Sequence, residues 1–444
     1  MGGFILWLLC LWMLAIPANA ETCFDIPNPL SPSKRVAVSC PLESRANSAS
    51  VSKAFAQTQP SPSSVTNYFH FDITCQASPE QCSSANELLR RAGEIISEVV
   101  ELKQPVSVNA SFFAFCRELS ICPERFVTLG GAAPARVLPA FDSEDGVKRL
   151  IPQALVKQLG LYQHPQYSQF DIHAMFNSEA PFWFSSSGTP IQKNQSDFLF
   201  VVVHELIHGL GFGSGWSDYV HEVPIALTPD IGILGGRNAP YTFDGFYEFI
   251  FDKFLVTLPD LSRLTTKYTR LLNEIPGINS TFPTIQDFVA NLTKSPEYMR
   301  IGSELLQIAT SKGKLGFMPV GGSQIGDVVV LETSLKPFSD GSSVSHVDYA
   351  TYTNTSDFLM RFVQDQGVRL EEGISRGGGA HPIGPKLRKM LASLGYVVKE
   401  AGLEDKPPYV DGKAVSGVFS SSQRMPSTAG WWVGWIALLS AMML

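Results

Sequence analysis

A chain of 444 residues is long enough to bury a large core. Its apolar share of 44% is an ordinary globular balance. A formal charge of −7 argues against nucleic acid or an anionic membrane surface as a main partner.

Met1 to Ala20 holds an apolar run, Phe4 to Ile16, and then Pro17-Ala18-Asn19-Ala20. Small residues at Ala18 and Ala20 make a cleavage site, and the run is short for a bilayer span, so a removable secretory signal is expected. Its removal takes Cys10 and leaves Cys23, Cys40, Cys75, Cys82, Cys116 and Cys122. An even number in a secreted chain reads as three disulfides, with fifteen pairings open. All six lie before residue 123, so the bridges staple the N-terminal third. N-x-S/T sequons at Asn109, Asn194, Asn279, Asn291 and Asn354 are expected glycan sites in a secretory chain.

Residues 21–65, rich in Ser, Pro and Ala without periodicity, read as an extended leader or pro-segment. Phe69 to Cys75 alternates and predicts a strand, and Ser84 to Leu102 has helical spacing behind an N-cap at Ser83 or Ser84. Val106 to Phe115 predicts a strand, Ile151 to Leu159 a short helix, and Asp171 to Asn177 another strand. Phe243 to Leu258 is aromatic and roughly helical. Thr284 to Val289 and Ser303 to Ile308 predict short helices, and Asp327 to Glu332 a buried strand. Pro385 to Leu394 predicts a last helix that starts at proline and stops at Gly395.

The tail carries small residues at Ser420 to Ser422, a polar spacer from Gln423 to Gly430, and an apolar stretch from Trp431 to Leu444. That layout predicts attachment of a GPI anchor, with Ser416 and Ser420 among the candidate attachment residues. The protein is therefore expected outside the cell, held at its surface by lipid.

Between these ends lies VVVHELIHGLGF, Val201 to Phe212. On a helix, residues four apart share a face, so His204 and His208 can aim two imidazoles at one zinc ion. Glu205 is rotated to the side, where it can act as general base toward a water at the metal. Ser196-Asp197 caps this helix, and Gly209 and Gly211 end it. A catalytic zinc commonly takes three protein ligands and one open position. His346 follows a Gly-Ser turn and is the preferred third ligand. His381, in GGGAHPIGP, and Asp218 are its rivals, while His173 on its strand is left out.

HELIHGLG resembles H-E-x-x-H-x-x-G, the opening of the metzincin zinc-protease signature. Ser214 stands where most metzincins have their third histidine. The chain is more similar to the leishmanolysin-like branch, in which a long insertion precedes the third histidine and a methionine turn follows. Here those positions are Ser345-His346-Val347-Asp348 and Asp357-Phe358-Leu359-Met360. The resemblance implies an α+β, metzincin-like zinc protease domain: a twisted mixed sheet with an active-site helix, and a mostly helical C-terminal subdomain. It implies one catalytic Zn2+ on His204, His208 and His346, with Met360 beneath the imidazoles and a peptide or protein as substrate. The strand at 171–177 would lie at the sheet edge over the cleft. Apart from the resemblance, Asp348 and Asp357 lie near His346 in sequence and are candidates to orient an imidazole, neither of them assigned. Zinc would be the main support of an oxyanion, with Tyr349 or Tyr352 as candidate helpers.

The expected organisation is signal 1–20, leader 21–65, an N-terminal catalytic subdomain 66–215, an insertion and C-terminal subdomain 216–399, linker 400–422 and anchor signal 423–444. Two functions follow from the sequence. One is a secreted or surface zinc endopeptidase. The alternative is a non-catalytic GPI-anchored glycoprotein using a protease scaffold for adhesion; the intact His204, Glu205 and His208 weigh against it.

Overall fold

A computed structural model of the chain describes residues 21–44, 68–122, 127–161, 163–236 and 239–399. The expected signal segment, residues 45–65 of the expected leader, and the expected linker and anchor signal lie outside the described residues. The fold is mixed α+β, built on two main sheets.

In chain order the principal elements begin with β1 (Glu21–Asp25), β2 (Val36–Cys40), β3 (Phe69–Cys75), α1 (Pro79–Val99), β4 (Val106–Phe113) and β5 (Gly130–Pro134). Next come β6 (Arg136–Phe141), β7 (Lys148–Pro152), α2 (Gln153–Gln158), β8 (Ile172–Asn177) and α3 (Phe198–Gly209). The later part holds β9 (Asp230–Gly235), β10 (Tyr241–Phe249), α4 (Leu264–Glu274), α5 (Ile285–Thr293) and α6 (Pro296–Ala309). The last two helices are α7 (Leu370–Arg376) and α8 (Pro385–Leu394).

The first sheet runs β3–β4–β8–β5. β3 and β8 pair parallel with β4, and β5 closes antiparallel on β8. Alternation explains its faces: Val106, Val108, Ala110 and Phe112 of β4 are buried, while Ser107, Asn109 and Ser111 turn to the half-exposed side. Asn109 thus lies half-buried on the polar face, whereas Asn194, Asn279, Asn291 and Asn354 are exposed. On the apolar face, α1 packs against α3, and α3 against β5 and β8.

The second sheet runs β9–β10–β7–β6–β1–β2. Arg149 of β7 is fully buried and ion-paired to Asp142, Asp145 and Glu248, so the β6–β7 hairpin is tied to β10. The three disulfides join neighbours in sequence: Cys23–Cys40, Cys75–Cys82 and Cys116–Cys122.

Several sequence expectations are corrected. Residues 21–44 are not a loose leader: β1 pairs with β2 and with β6, inside the second sheet. The first helix starts at Pro79, five residues earlier than expected. Its cap is Ser78, which forms a reciprocal capping box with Gln81. The 171–177 strand is internal, lying between β4 and β5, so β5 is the edge. Phe243 to Leu258 is not a helix but the end of β10, a 3-10 turn at Ile250–Phe254 and a short strand at Leu255–Thr257. β10 is covered on both faces over Phe246–Phe249, which erases the period-two signal. Strand content in the 327–332 run shrinks to Val329–Val330. Ile151 and Pro152 belong to β7, the 106–115 strand stops at Phe113, and the helix around Ser303 runs from Pro296 to Ala309. The C-terminal part is mixed rather than mostly helical, since it contributes β9 and β10 to the second sheet.

Candidate metal centre

α3 is apolar throughout its first turns, with Phe198 to Val203 all buried. Burial, rather than amphipathicity, holds it in place between α1 and the sheet. Asp197 caps it, accepting from Leu199 N–H at 2.9 Å, and its second oxygen accepts from Leu370 N–H at 2.8 Å. The helix stops where Gly211 takes a positive φ of 103°. A Cβ there would meet Pro152 Cγ at 2.5 Å, so only glycine lets the chain turn at this point.

His204 and His208 point from the last turns of this helix to one spot. His346 reaches the same spot from a loop more than a hundred residues later. The three Nε2 atoms form a triangle with sides of 3.1 Å. Each Nδ1 faces a backbone carbonyl: Leu359 O at 2.8 Å for His204, Phe212 O at 2.6 Å for His208, and Ser342 O at 3.0 Å for His346. A carbonyl can only accept, so Nδ1 carries the proton and Nε2 is left as a bare lone pair. Burial also holds the rings neutral. It pushes His204 down to about 3, helped by the nearby His208 ring, and His208 down to about 4. Burial lowers His346 as well, with its two histidine neighbours adding to the effect.

Among the described residues, these three lone pairs face one another with no donor directed at them. A cation resolves that conflict. Zinc–imidazole bonds of about 2.0–2.1 Å in a tetrahedral arrangement set donor nitrogens ~3.3 Å apart, close to the observed spacing. Among the described residues, these three side chains are the grouping able to hold a metal ion. The donor set fits zinc.

Glu205 is buried beside them. Its Oε2 accepts from Ala132 N–H of the edge strand β5 at 2.9 Å. Burial raises its pKa to about 8, and the Ala132 hydrogen bond opposes that rise. The cluster opens on a cleft of about 1270 Å³, lined by β5, Leu30 and the 335–342 and 361–366 segments.

The segment bearing His346 is knitted in from two directions. His346 O accepts from Glu332 N–H at 2.8 Å, and Val347 N–H donates to Met360 O at 2.9 Å. Met360 is buried, and the carbonyl before it is the one that holds His204 Nδ1. The Leu359–Met360 segment is thus bonded to His204 and to the segment of His346.

The other candidates lie elsewhere. His381 faces Ile95 O and accepts from Ile383 N–H. Asp218 organises its own loop, accepting from Val220, His221, Ile225 and Ala226 N–H groups. His173 sits half-buried on β8 beside Phe170. Asp348 caps a helical turn through Thr351, and Asp357 accepts from Lys386 and Leu387 at the start of α8. Neither orients an imidazole. Tyr349 donates to Asp365, and the Tyr352 hydroxyl accepts from Val330 N–H, so both phenols are engaged away from the histidines. The carbonyl partners of the three rings carry no side-chain signature, and sequence reasoning missed them for that reason.

A three-histidine cluster with an adjacent buried acid, on a mixed α+β frame, is therefore what the fold presents. Residues 23–423 match the SPBPB7E8-like family, and the chain belongs to that family. It is similar to the uncharacterized protein PB7E8.01 of Schizosaccharomyces pombe, 29% identical over 364 residues. That match covers 76% of this chain and 63% of the relative, so this chain spans less than two thirds of the relative's length. No solved structure matches.

Proposed function

We propose that the protein is a zinc-dependent endopeptidase of the metzincin type, similar to the leishmanolysin-like branch. The observation that supports it most is the convergence of His204, His208 and His346 Nε2 atoms at 3.1 Å, with Glu205 beside them on an open cleft.

His204, His208 and His346 would hold the ion, presenting three neutral nitrogens. When bound, zinc supplies Lewis acidity that polarises a carbonyl and makes water a nucleophile near neutral pH. Glu205 carries the proton: a carboxylate oxygen takes it from the attacking water and returns it to the leaving nitrogen. Ala132 N–H fixes the direction of that carboxylate. The edge of β5 offers backbone groups to an extended peptide by strand addition, the role first expected of the 171–177 strand.

On this reading the apolar run at 1–20 would act as a secretory signal, the sequons would carry glycans and the tail would accept a GPI anchor, so that the activity would lie outside the cell, at its surface. The three disulfides suit that compartment.

The test is purified protein assayed for bound zinc and for peptide hydrolysis with and without a chelator. Glu205→Gln is expected to keep one zinc per chain and the fold, and to lower kcat at least 10²-fold. A variant that cleaves peptides at the wild-type rate overturns the role of Glu205. Wild-type protein that binds no zinc overturns the reading as a whole.

A further inference from the structure

We propose that Asp252, within the long insertion, is a positioning residue for the third histidine, acting through Ser214 and Ser345. The inference rests on the zinc reading above and concerns contacts that no expectation from sequence included.

Asp252 lies in the 3-10 turn at Ile250–Phe254 and is buried. Its Oδ1 accepts from the Ser214 hydroxyl at 2.6 Å. Its Oδ2 accepts from Gly215 N–H and Phe249 N–H, each at 3.0 Å. Ser214 N–H in turn donates to Ser345 Oγ at 3.1 Å, and Ser345 directly precedes His346. The segment 212–215 thus bonds one histidine directly and the chain neighbour of another. Phe212 O holds His208 Nδ1, and Ser214 N–H holds the residue next to His346.

The seat is tight. A Cβ on Gly215 would meet a Phe249 ring carbon at 2.4 Å and Asp252 Oδ2 at 3.2 Å, so the loop backbone is pressed onto the carboxylate. A buried carboxylate is costly, and among the described residues this one has no ion pair to offset the cost. Capping its own turn through Phe249 would occupy only Oδ2. Oδ1 is committed to Ser214, the residue that reaches Ser345. The insertion therefore supplies a clamp between the end of the zinc helix and the distant third ligand, the kind of support that keeps three donors converged.

The test compares wild type, Asp252→Ala, Asp252→Asn and Ser345→Ala, with Glu248→Gln as control. Glu248 is a buried carboxylate of the same insertion that bonds Arg149, Thr266 and Thr269. Readouts are zinc affinity by competition with a chromophoric chelator, the visible spectrum of Co2+-loaded protein, and thermal unfolding of the metal-free chain. Asp252→Ala and Ser345→Ala are expected to weaken zinc binding about 10–100-fold and to shift the cobalt bands. Asp252→Asn, which can still accept from the loop amides, is expected to stay near wild type, and Glu248→Gln to lose stability while keeping affinity. Where Asp252→Ala fails to fold, Ser345→Ala, the loss of one hydroxyl, decides alone. Folded Asp252→Ala and Ser345→Ala proteins with wild-type affinity and spectrum overturn the clamp. A Glu248→Gln affinity loss equal to that of Asp252→Ala overturns it too. Wild type that binds no zinc sinks the zinc reading itself.

Discussion

Three imidazoles can meet edge to edge only if none is charged and none carries a proton at the meeting point. Burial secures the first condition and the carbonyls of Leu359, Phe212 and Ser342 secure the second. Each ring is equivalent in this respect, so each should matter equally to binding. His346→Ala is expected to reduce zinc retention through dialysis from one ion per chain to a small fraction, and His381→Ala to leave it unchanged. Atomic absorption on the two variants decides between the rival third ligands, and retention by His346→Ala would refute the assignment. His204 and His208 were legible because four-residue spacing on a helix is a local relation. His346 lies 138 residues beyond His208, where no spacing rule operates. It was reached by likeness to a family and by a turn before it. Asp252, Ser214 and Ser345 were not legible at all. A serine beside a histidine says nothing of what folds against it.

At the scale of elements, α3 is the fixed part of the site, and its cap is an unusual one. Asp197 accepts hydrogen bonds from its own helix and from the start of α7, yet burial raises its carboxyl to about 6 from an ordinary value of 3.8, with the Glu371 charge adding to the rise. The folded state therefore binds more protons than the unfolded chain between those values. Stability from this group is full below about pH 4 and is lost as pH rises through about 6. The loss amounts to about 3 kcal/mol at most. Asp197→Asn keeps a good cap but does not titrate. Its stability relative to wild type is thus expected to improve as pH rises from 4 to 7, as measured by urea unfolding at each pH; a constant difference would remove Asp197 from the pH response. The cap itself was legible in Ser196-Asp197, as was the stop at Gly211. The start of α1 was not, because Ser78 and Pro79 stand ahead of the amphipathic run in a stretch pinned by the Cys75–Cys82 bridge. β10 was misread as a helix, since a strand buried on both faces has no alternation to show.

At the scale of the whole molecule, residues 21–44 belong to the body of the protein. β1 pairs with β6 through Phe24↔Val137 and Asp25↔Arg136, and Asp25 forms an ion pair with Arg136. Leu30, in the loop that follows, rests against Gly131 of the edge strand and lines the cleft. Low periodicity over 21–65 reads as an extended leader or pro-segment. The pairing is non-local, and strands of five residues leave little trace in sequence. Removal of residues 21–44 should therefore destabilise the protein rather than release it. The Cys23–Cys40 bridge, with a sequence separation of 17, gives a finer test. Closing a loop of this size contributes about 3 kcal/mol in the chain-entropy account. A Cys23→Ala, Cys40→Ala double variant is expected to lose about that much stability and to unfold several degrees lower in a calorimeter, with the 21–44 deletion falling lower still. A deletion variant that unfolds at the wild-type temperature would restore these residues to the status of a removable leader.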